Sequence, residues 1–351
     1  METDSYIKPP NEFWRNAILP EASMIKDAVE NLNNSSMQIV LVVNDKTELV
    51  GTISDGDIRR GLLKDLTLQN PITEVIQRNP VVVGRDATDL EVKNIMASFR
   101  IHHVPIVDQS QRLLGVHHMD SAPPDKRSNI FVIMAGGLGS RLMPYTNSIP
   151  KGLLTVSGKP MLEHIITRAK LDGFHKFKIS IHYLGEMIED YFGDGSNFGV
   201  EIEYIRETSP LGTAGSLSLL TSAPDEPFVV SNCDVMTDIS YRRILDYHLE
   251  CSSDATMAVR SHAWQHPFGV VTLDGLEITG IEEKPIAITH INAGVYVLNP
   301  SILELLELGT PCDMTNLFNL IRQNRLTATA FPIHERWMDI GNEEQLIKAS
   351  E

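Results

Sequence analysis

A glycine-rich run beside an arginine and a lysine contains the residue types best suited to chemistry. The run 134–142 reads Met-Ala-Gly-Gly-Leu-Gly-Ser-Arg-Leu, and Pro150-Lys151 follows it. Glycines let backbone N–H groups approach phosphate oxygens closely, and Arg141 and Lys151 place two cations nearby. The run lacks the third glycine of a dinucleotide-binding loop and the Gly-Lys-Ser/Thr of a Walker loop. It therefore predicts a polyphosphate-binding loop of another kind.

Several separated segments of the sequence match one family in the family's order. Ala-Gly-Gly-x-Gly-x-Arg-Leu-x-Pro from Ala135, then Pro-Lys, then Gly-Lys-Pro-Met-Leu-Glu over 158–163 resemble the sugar-1-phosphate nucleotidylyltransferases. The resemblance runs from about residue 128 to the C-terminus. It implies an α/β fold with a Rossmann-like, mixed but mostly parallel sheet of the GT-A type. It also implies transfer of a nucleoside monophosphate from a nucleoside triphosphate to a sugar 1-phosphate, with release of pyrophosphate.

The resemblance implies a function for each matching residue, with Mg²⁺ as cofactor, since one anion must approach another. The residues expected to be catalytic, of which the two aspartates would also hold the metal, are Arg141, Lys151, Asp234 and Asp339. Those expected to bind the nucleotide are Ala135, Gly136, Gly137, Gly139, Ser140, Glu207, Gly212, Thr213 and Asp234. Those expected to bind the sugar phosphate are Glu283, Lys284, Asn292 and Gly294. The ordinary alternatives are a turn or helix cap for each aspartate and an exposed turn for Glu-Glu-Lys-Pro.

The segment 207–215, Glu-Thr-Ser-Pro-Leu-Gly-Thr-Ala-Gly, bears on the choice of base. It resembles the base-binding loop of members that form GDP-mannose and UDP-sugars. Guanine presents two donors, N1–H and the N2 amine, and the Glu207 carboxylate could accept from both. Uracil and thymine offer a single N–H between two carbonyls. The sequence therefore favours GTP. Cys233 and Gly152 depart from the family's usual glycine and proline.

The sugar is predicted from the combination of domains. A CBS-domain pair preceding such a catalytic segment is similar to the glucosamine-1-phosphate guanylyltransferases of bacterial legionaminic acid biosynthesis, so glucosamine 1-phosphate is the expected acceptor. Mannose 1-phosphate or another hexose 1-phosphate, with guanylyl or uridylyl transfer, is the alternative. A non-catalytic, nucleotide-sensing regulatory subunit is an alternative of another class. Such subunits usually lose a catalytic arginine, lysine or aspartate, and all are present here.

Alternating strands and helices must position these residues. Apolar runs predict strands at 130–134, 177–181, 200–205, 228–231 and 255–259. Amphipathic or small-residue patterns predict helices at 161–170, 212–220 and 241–249, and a last helix from about 342. This alternation favours a mainly parallel sheet covered on both faces. In such sheets, ligands bind beyond the carboxyl ends of the strands, where the glycine-rich run lies.

Residues 17–121 contain an internal repeat of helix, strand, strand and helix that resembles a tandem CBS pair. Apolar residues recur at helical spacing from Ile25 and again from Val92, and 37–51 aligns without gaps on 101–115. Ser54 and Asp57 match the family's nucleotide signature, which implies an adenine nucleotide as regulatory ligand. His118 and Ser121 replace these residues in the second copy. The alternative is a packing and dimerisation module without a ligand, and we expect a homo-oligomer.

Composition sets the remaining expectations. We expect a CBS module over 1–121, with repeats at 17–70 and 71–121, a linker over 122–128, and a nucleotidyltransferase domain over 129–351. The net charge of −16 argues against nucleic-acid or membrane binding, and three scattered cysteines form neither a zinc pattern nor a disulfide framework. The first residues do not resemble a secretion signal, so a cytoplasmic protein is expected.

Overall fold

The structure is a computed structural model in which the chain divides into two compact units. The described residues are 7–8, 12–35, 37, 39–99, 101–119 and 126–350. The units are Met1–Pro123 and Pro124–Glu351. Residues 120–125, with Ser121 and most of the predicted linker, lie outside the described residues.

Short strands and helices build the first unit. Its described elements are β1 (Ile7–Lys8), β2 (Ile18–Pro20), α1 (Ile25–Asn34), β3 (Ile39–Val43), β4 (Leu49–Ser54), α2 (Asp55–Leu62), α3 (Asp89–Phe99), β5 (His103–Val107) and β6 (Leu113–Met119). The strands form two three-stranded sheets, β1-β6-β5 and β2-β3-β4. Hairpin β3–β4 and hairpin β5–β6 occupy the aligned positions of the predicted repeat.

The two copies share a core but differ where each hairpin ends. Leu41 of the first copy and Val116 of the second lie in one buried apolar cluster, so the copies pack on each other. In the first copy Ser54 caps α2 directly after β4. In the second, β6 runs through His118, which pairs with His103. The predicted closing helix of the second copy would follow Met119 and so lies outside the described residues.

The second unit alternates strands and helices. Its described elements are β7 (Phe131–Met134), β8 (Thr155–Val156), β9 (Lys159–Pro160), α4 (Met161–Leu171), β10 (Lys176–Ile181), α5 (Gly185–Phe192), β11 (Glu201–Arg206), α6 (Gly212–Gly215), β12 (Phe228–Asn232), β13 (Val235–Thr237), α7 (Tyr241–Glu250), β14 (Ala255–Gln265), β15 (Val270–Asp274), β16 (Glu277–Glu282), β17 (Ile286–Leu298), α8 (Met314–Gln323), β18 (Ala328–Ile333), β19 (Trp337–Asp339) and α9 (Glu343–Ser350).

The main sheet of this unit has the strand order β11-β10-β7-β12-β17-β14-β18. Neighbouring strands in it are parallel, except that β17 runs antiparallel to both β12 and β14. The predicted mostly parallel α/β sheet is thus confirmed. The chain moves from β7 to β10 on one side and later returns to β12 on the other side. The carboxyl ends of β7 and β12 therefore form a topological switch point, where ligands bind in such sheets.

Apolar side chains cover both faces of the main sheet. In β7, Phe131 and Ile133 belong to one buried cluster and Val132 to the cluster on the opposite face. The Phe131 ring centroid lies 4.8 Å from that of Tyr241 and 5.4 Å from that of Phe174. A strand buried on both faces has a continuous apolar sequence, which explains why it was predictable.

The predicted helix over 212–220 has a different form. It is the short α6 followed by a 3-10 turn. Gly212 has a φ of 76°, and the N–H groups of Ala214 and Gly215 both donate to the Cys312 carbonyl. Hydrogen bonds to another loop therefore help to hold this segment.

The predicted strand at 255–259 is longer than expected. β14 continues to Gln265, paired with β17 after a bulge between Met257 and Val259. The unpredicted hairpin β15–β16 then follows, exposed along its length. Among the described residues, no helix is both long and apolar enough to cross a membrane.

Candidate functional site

A cavity of about 300 Å³ lies at the carboxyl ends of β7 and β12. Its lining residues are Met134, Gly136, Gly137, Gly139, Ser140, Arg141, Lys151, Glu207, Pro210, Leu211, Gly212, Thr213, Asn232, Cys233, Asp234 and Gly341. This set contains every residue predicted for nucleotide binding except Ala135, which is buried where the glycine loop begins. It also contains three of the four predicted catalytic residues.

Two glycines of the loop are required by its geometry. A β-carbon on Gly136 would lie 2.3 Å from Oε1 of Glu207, so the loop and that carboxylate can approach only without a side chain. Gly139 has a φ of 63°, and a β-carbon there would lie 2.8 Å from Cγ2 of Thr146. The Thr146 hydroxyl in turn donates to the Gly139 carbonyl over 3.0 Å. The backbone is thus fixed in a left-handed turn at Gly139, which only glycine adopts readily.

The two predicted metal-binding aspartates are brought together by a short ladder. Strands β13 and β19 pair antiparallel, with Val235 opposite Asp339. The Ile340 N–H donates to the Asp234 carbonyl over 3.0 Å. Asp234 directly precedes β13 and Asp339 is the last residue of β19, so the ladder brings the two residues close enough for their charges to interact.

Two cations accompany these carboxylates. Nζ of Lys151 lies 2.5 Å from Oδ2 of Asp234, and the two side chains are 10% and 16% exposed. A β-carbon on Gly341 would lie 3.3 Å from Nη1 of Arg141, so the guanidinium packs against the turn that follows Asp339. Burial, and then the Asp234 charge, raise the pKa of Asp339, while Lys151 and Arg141 oppose this shift.

The aspartate pair suits a hard divalent cation. Oδ1 of Asp339 is buried and has no hydrogen-bond partner among the described residues. An unpaired buried carboxylate oxygen beside a second carboxylate is costly without a cation. Mg²⁺ takes one or two carboxylates and completes its shell with water and phosphate oxygens. Asp234 and Asp339 are therefore the residues that could hold it.

The predicted base-reading carboxylate also lines the cavity. Glu207 is 9% exposed. Its Oε1 accepts from the Ser180 hydroxyl over 2.6 Å, and its Oε2 accepts from the Leu211 N–H over 3.0 Å. A carboxylate offers about four lone-pair sites, so two of them stay available.

The loop around Gly212 is braced by the start of α8. A β-carbon on Gly212 would lie 2.6 Å from Oδ1 of Asp313, an oxygen that also accepts from the Thr213 N–H. The Thr213 hydroxyl accepts from the Met314 N–H over 2.8 Å. These contacts fix the loop in position beside the cavity.

Two of the predicted sugar-phosphate residues lie near the aspartates. Gly294, with a φ of 74°, would place a β-carbon 2.7 Å from Cγ2 of Val235 and 3.1 Å from Nδ2 of Asn232. Oδ1 of Asn292 accepts from the Gly294 N–H, and its Nδ2 donates to the Tyr296 hydroxyl. The Asn292 side chain thus makes both of these hydrogen bonds within β17. Neither Asn292 nor Gly294 lines the cavity.

The other two predicted sugar-phosphate residues are exposed. Glu283 and Lys284 connect β16 to β17 and do not line the cavity. Lys284 has a φ of 47°, which is typical of a turn. The structure does not bring this pair to the glycine loop, so its contact with a sugar phosphate stays a prediction.

The predicted regulatory residues of the first unit contact each other. The Ser54 N–H and hydroxyl both donate to Oδ2 of Asp57, and the Ser54 hydroxyl accepts from the Asp57 N–H. Oδ1 of Asp57 is 2.6 Å from Nη2 of Arg60. This capping box at the start of α2 is the structural alternative to nucleotide binding.

Comparison with known families decides the assignment of the second unit. The nucleotidyl transferase family model matches residues 130–351, more than half of the chain. The chain belongs to the nucleotidyl transferase family. The CBS domain model matches 15–64 and 72–116, so this nucleotidyl transferase carries CBS domains at its N-terminus.

Similar proteins agree with that family. The chain is 34% identical over 228 residues to "Probable mannose-1-phosphate guanylyltransferase 2" of Oryza sativa subsp. japonica. It is 31% identical over 229 residues to the mannose-1-phosphate guanyltransferase of Gibberella zeae. Each alignment covers 62% of this chain and 62% of the relative, so the nucleotidyl transferase spans less than two thirds of these relatives.

A solved structure shows the same fold. The crystal structure of HddC from Yersinia pseudotuberculosis aligns with a TM-score of 0.51 and 25% identity. The alignment covers 63% of this chain and 98% of that one. The likeness therefore concerns the second unit of this nucleotidyl transferase.

Some residues of the site were not found from the sequence. Ser180 lies inside an ordinary strand pattern, and Asp313 lies about a hundred residues beyond the loop that it braces. Asn232, the last residue of β12, lines the cavity and is the first residue of an Asn-x-Asp motif, a signal that was available.

The glycine at 152, where the family usually has proline, has a packing reason. At Gly152 a β-carbon would lie 2.6 Å from Cδ1 of Leu162, so only glycine fits without a shift.

Proposed function

We propose that this chain transfers GMP from GTP to a hexose 1-phosphate, giving a GDP-sugar and pyrophosphate. A phosphate oxygen of the sugar attacks the α-phosphorus, and the bond from that phosphorus to the bridging β-phosphate oxygen breaks. The observation that carries the proposal is the meeting of Asp234 and Asp339 with Lys151 and Arg141 at the glycine loop. Phosphoryl-group chemistry needs alignment and neutralised charge more than a covalent catalyst, and these residues supply both.

Each charged side chain would bind a different part of the substrates, according to its position. Mg²⁺, held by Asp234 and Asp339, would neutralise phosphate charge and orient the triphosphate. Lys151 is already within ion-pair distance of Asp234, so its ammonium can reach an α-phosphate bound at the same carboxylate. Arg141 lies in the loop, where a guanidinium can hold the departing pyrophosphate with two parallel hydrogen bonds.

The buried thiol beside Asp234 takes no chemical part in this scheme. Burial, followed by the charge of Asp234, raises the pKa of Cys233 to about 12. The thiol therefore stays protonated at neutral pH and is a poor nucleophile. This agrees with direct transfer between phosphates, without an enzyme-bound nucleotidyl intermediate.

Glu207 supports guanine as the base. Its two carboxylate oxygens each keep acceptor capacity after the bonds from Ser180 and Leu211. The guanine N1–H and N2 amine lie on one edge and would match two such acceptors. Uracil and thymine would leave one acceptor facing a carbonyl.

Two sugar 1-phosphates are candidates for the molecule that accepts GMP, and a different observation supports each. Glucosamine 1-phosphate follows from the resemblance of the domain combination to the guanylyltransferases of legionaminic acid biosynthesis. Mannose 1-phosphate is favoured by the names of the relatives that match the second unit. The regulatory-subunit alternative is weaker, because the four charged groups are all present and lie near one another.

A matrix of substrates tests the proposal. Each of GTP, ATP, UTP and CTP is mixed with Mg²⁺ and glucosamine 1-phosphate, mannose 1-phosphate or glucose 1-phosphate, and pyrophosphate release is measured. We expect release with GTP and one preferred hexose. Asp234→Ala should reduce it at least ~100-fold, the scale of losing one interaction with transition-state charge. The exposed Asp190→Ala is the matched control and should keep full activity.

The outcomes separate the alternatives. Turnover only with UTP or CTP would reject guanine. Absence of pyrophosphate with every pair would reject the enzyme and favour a regulatory subunit. Preference for mannose 1-phosphate over glucosamine 1-phosphate would assign the acceptor suggested by the relatives.

A further inference from the structure

We propose that Ser180 is the positioning residue that sets the preference for guanine, by holding the Glu207 carboxylate in one orientation. Ser180 is not among the residues that line the cavity. The inference rests on the proposed function, and it extends the recognition of the base to a residue in the interior of β10.

The first observation is the geometry of the Glu207 carboxylate. The Ser180 side chain is fully buried, and its hydroxyl donates to Oε1 over 2.6 Å. The Leu211 N–H donates to Oε2 over 3.0 Å. Oε1 also lies against Gly136, where a β-carbon would be 2.3 Å away. The carboxylate is thus held on both oxygens and packed against the phosphate loop.

The second observation is that Ser180 also contacts the phosphate loop through its backbone. Its carbonyl accepts from the Ala135 N–H over 2.9 Å. One residue therefore joins the start of the triphosphate-binding loop to the base-reading carboxylate. Ser180 would therefore hold the base-reading carboxylate at a set distance from the start of that loop.

Removing the hydroxyl should change what Glu207 presents to the base. A carboxylate as buried as this one is held in place by the donors that it accepts from. Without the Ser180 donor it can rotate about its terminal torsion, so that its oxygens no longer face the guanine N1–H and N2 amine. This change weakens the distinction between guanine and bases that lack its donors.

Inosine triphosphate is the probe for this distinction, because it keeps N1–H but lacks the N2 amine. A site built to pair with a polar group rejects the analogue that lacks it. We expect wild type to prefer GTP to ITP in kcat/KM by at least about tenfold. In Ser180→Ala, kcat/KM for GTP should fall about tenfold, chiefly through KM, and the GTP/ITP preference should fall toward one. The KM for the sugar phosphate should not change.

A matched control and a double variant separate positioning from general damage. Ser253→Ala removes an equally buried hydroxyl, which bonds to Thr329 and not to Glu207. It should leave the GTP/ITP ratio unchanged. In a Glu207→Ala background, Ser180→Ala should cause no further loss of that ratio, since Ser180 acts through the carboxylate.

Two results would overturn the inference. One is a Ser180→Ala protein that retains the wild-type GTP/ITP ratio. The other is an equal loss with GTP, ITP and sugar phosphate, which would mean that Ser180 only supports the fold. A wild-type enzyme that uses UTP or CTP in place of GTP would instead reject the proposed base, and this result is distinguishable before any variant is made.

Discussion

At the scale of single residues, Asp339 combines a cost in stability with a function. Burial and the neighbouring Asp234 raise its pKa, so the folded metal-free protein binds this proton more tightly than the unfolded chain does. The stability that comes from the protonated form is present at low pH. It is lost as pH rises from the ordinary carboxyl range, near ~4, through the raised pKa. Under the proposed function, a divalent cation held together with Asp234 would neutralise this carboxylate.

The variant Asp339→Asn tests whether the charge of Asp339 lowers stability and is needed for activity. The variant lacks the charge that Asp234 repels, so the metal-free variant should melt about 2 °C higher than metal-free wild type at pH 7.5. The difference should shrink as pH falls, because the raised pKa lets wild-type Asp339 take up a proton. MgCl₂ should raise the melting temperature of wild type only, and pyrophosphate release should fall at least ~100-fold in the variant. Scanning fluorimetry with EDTA or MgCl₂ measures the first three effects, and a variant that melts lower at pH 7.5 would contradict the repulsion.

At the scale of elements, the left-handed backbone at Gly294 lets β17 pack closely against Val235 and Asn232. The left-handed backbone at this position leaves only 2.7 Å between a β-carbon and Val235 of β13. Asn232, which lines the cavity, lies 3.1 Å from the same point. The strand that carries Asn292 can therefore approach β13 only through a glycine.

Gly294→Ala should displace Asn232 and β13 and reduce kcat/KM by about tenfold or more, since small misplacements at a site are costly. Gly275→Ala is the matched control, because it has a φ of 60° but nothing within 4 Å of a β-carbon. Both variants should lose about 1–2 kcal/mol from left-handed strain, measured by urea unfolding. Only the first should lose activity, and equal activity in the two would show that the contact with Asn232 is unimportant.

At the scale of the whole molecule, the N-terminal CBS pair raises the question of regulation. The capping box of Ser54 and Asp57 already satisfies the groups that would meet a nucleotide, and Asp57 also pairs with Arg60. A ligand must therefore offer enough new contacts to replace the contact with Arg60. An effect on catalysis would be reciprocal, so GTP would change the affinity for the regulator by the same factor.

We expect the full chain to bind one adenine nucleotide per chain in calorimetry with ATP, ADP or AMP. At a hundredfold excess over Kd the ligand should stabilise the unit that it binds by about 2.7 kcal/mol. Asp57→Ala should abolish the heat and also cost about 1 kcal/mol through the lost cap. If none of the three nucleotides gives heat with wild type, the capping box is the sole function of these two residues.

The sequence alone identified much of the chemistry. Glycine, arginine and lysine at short spacing predict a phosphate-binding loop, because each property belongs to the residue itself or to its neighbours in the chain. The buried strand Phe131–Met134 and the repeat of the first unit were predictable for the same reason, since apolar periodicity is local. Asp234 and Asp339 could be named as candidates from the motifs around them.

The tertiary structure decided which of these residues meet. The sheet and the β13–β19 ladder place Asp339 beside Asp234, and the fold of β10 against the loops gives Glu207 its partner Ser180. It also leaves Lys284 exposed on the turn between β16 and β17, although the motif around it resembles a substrate-binding segment. A residue's chemical type is written in the sequence, but distances between remote residues depend on how the strands pair and pack.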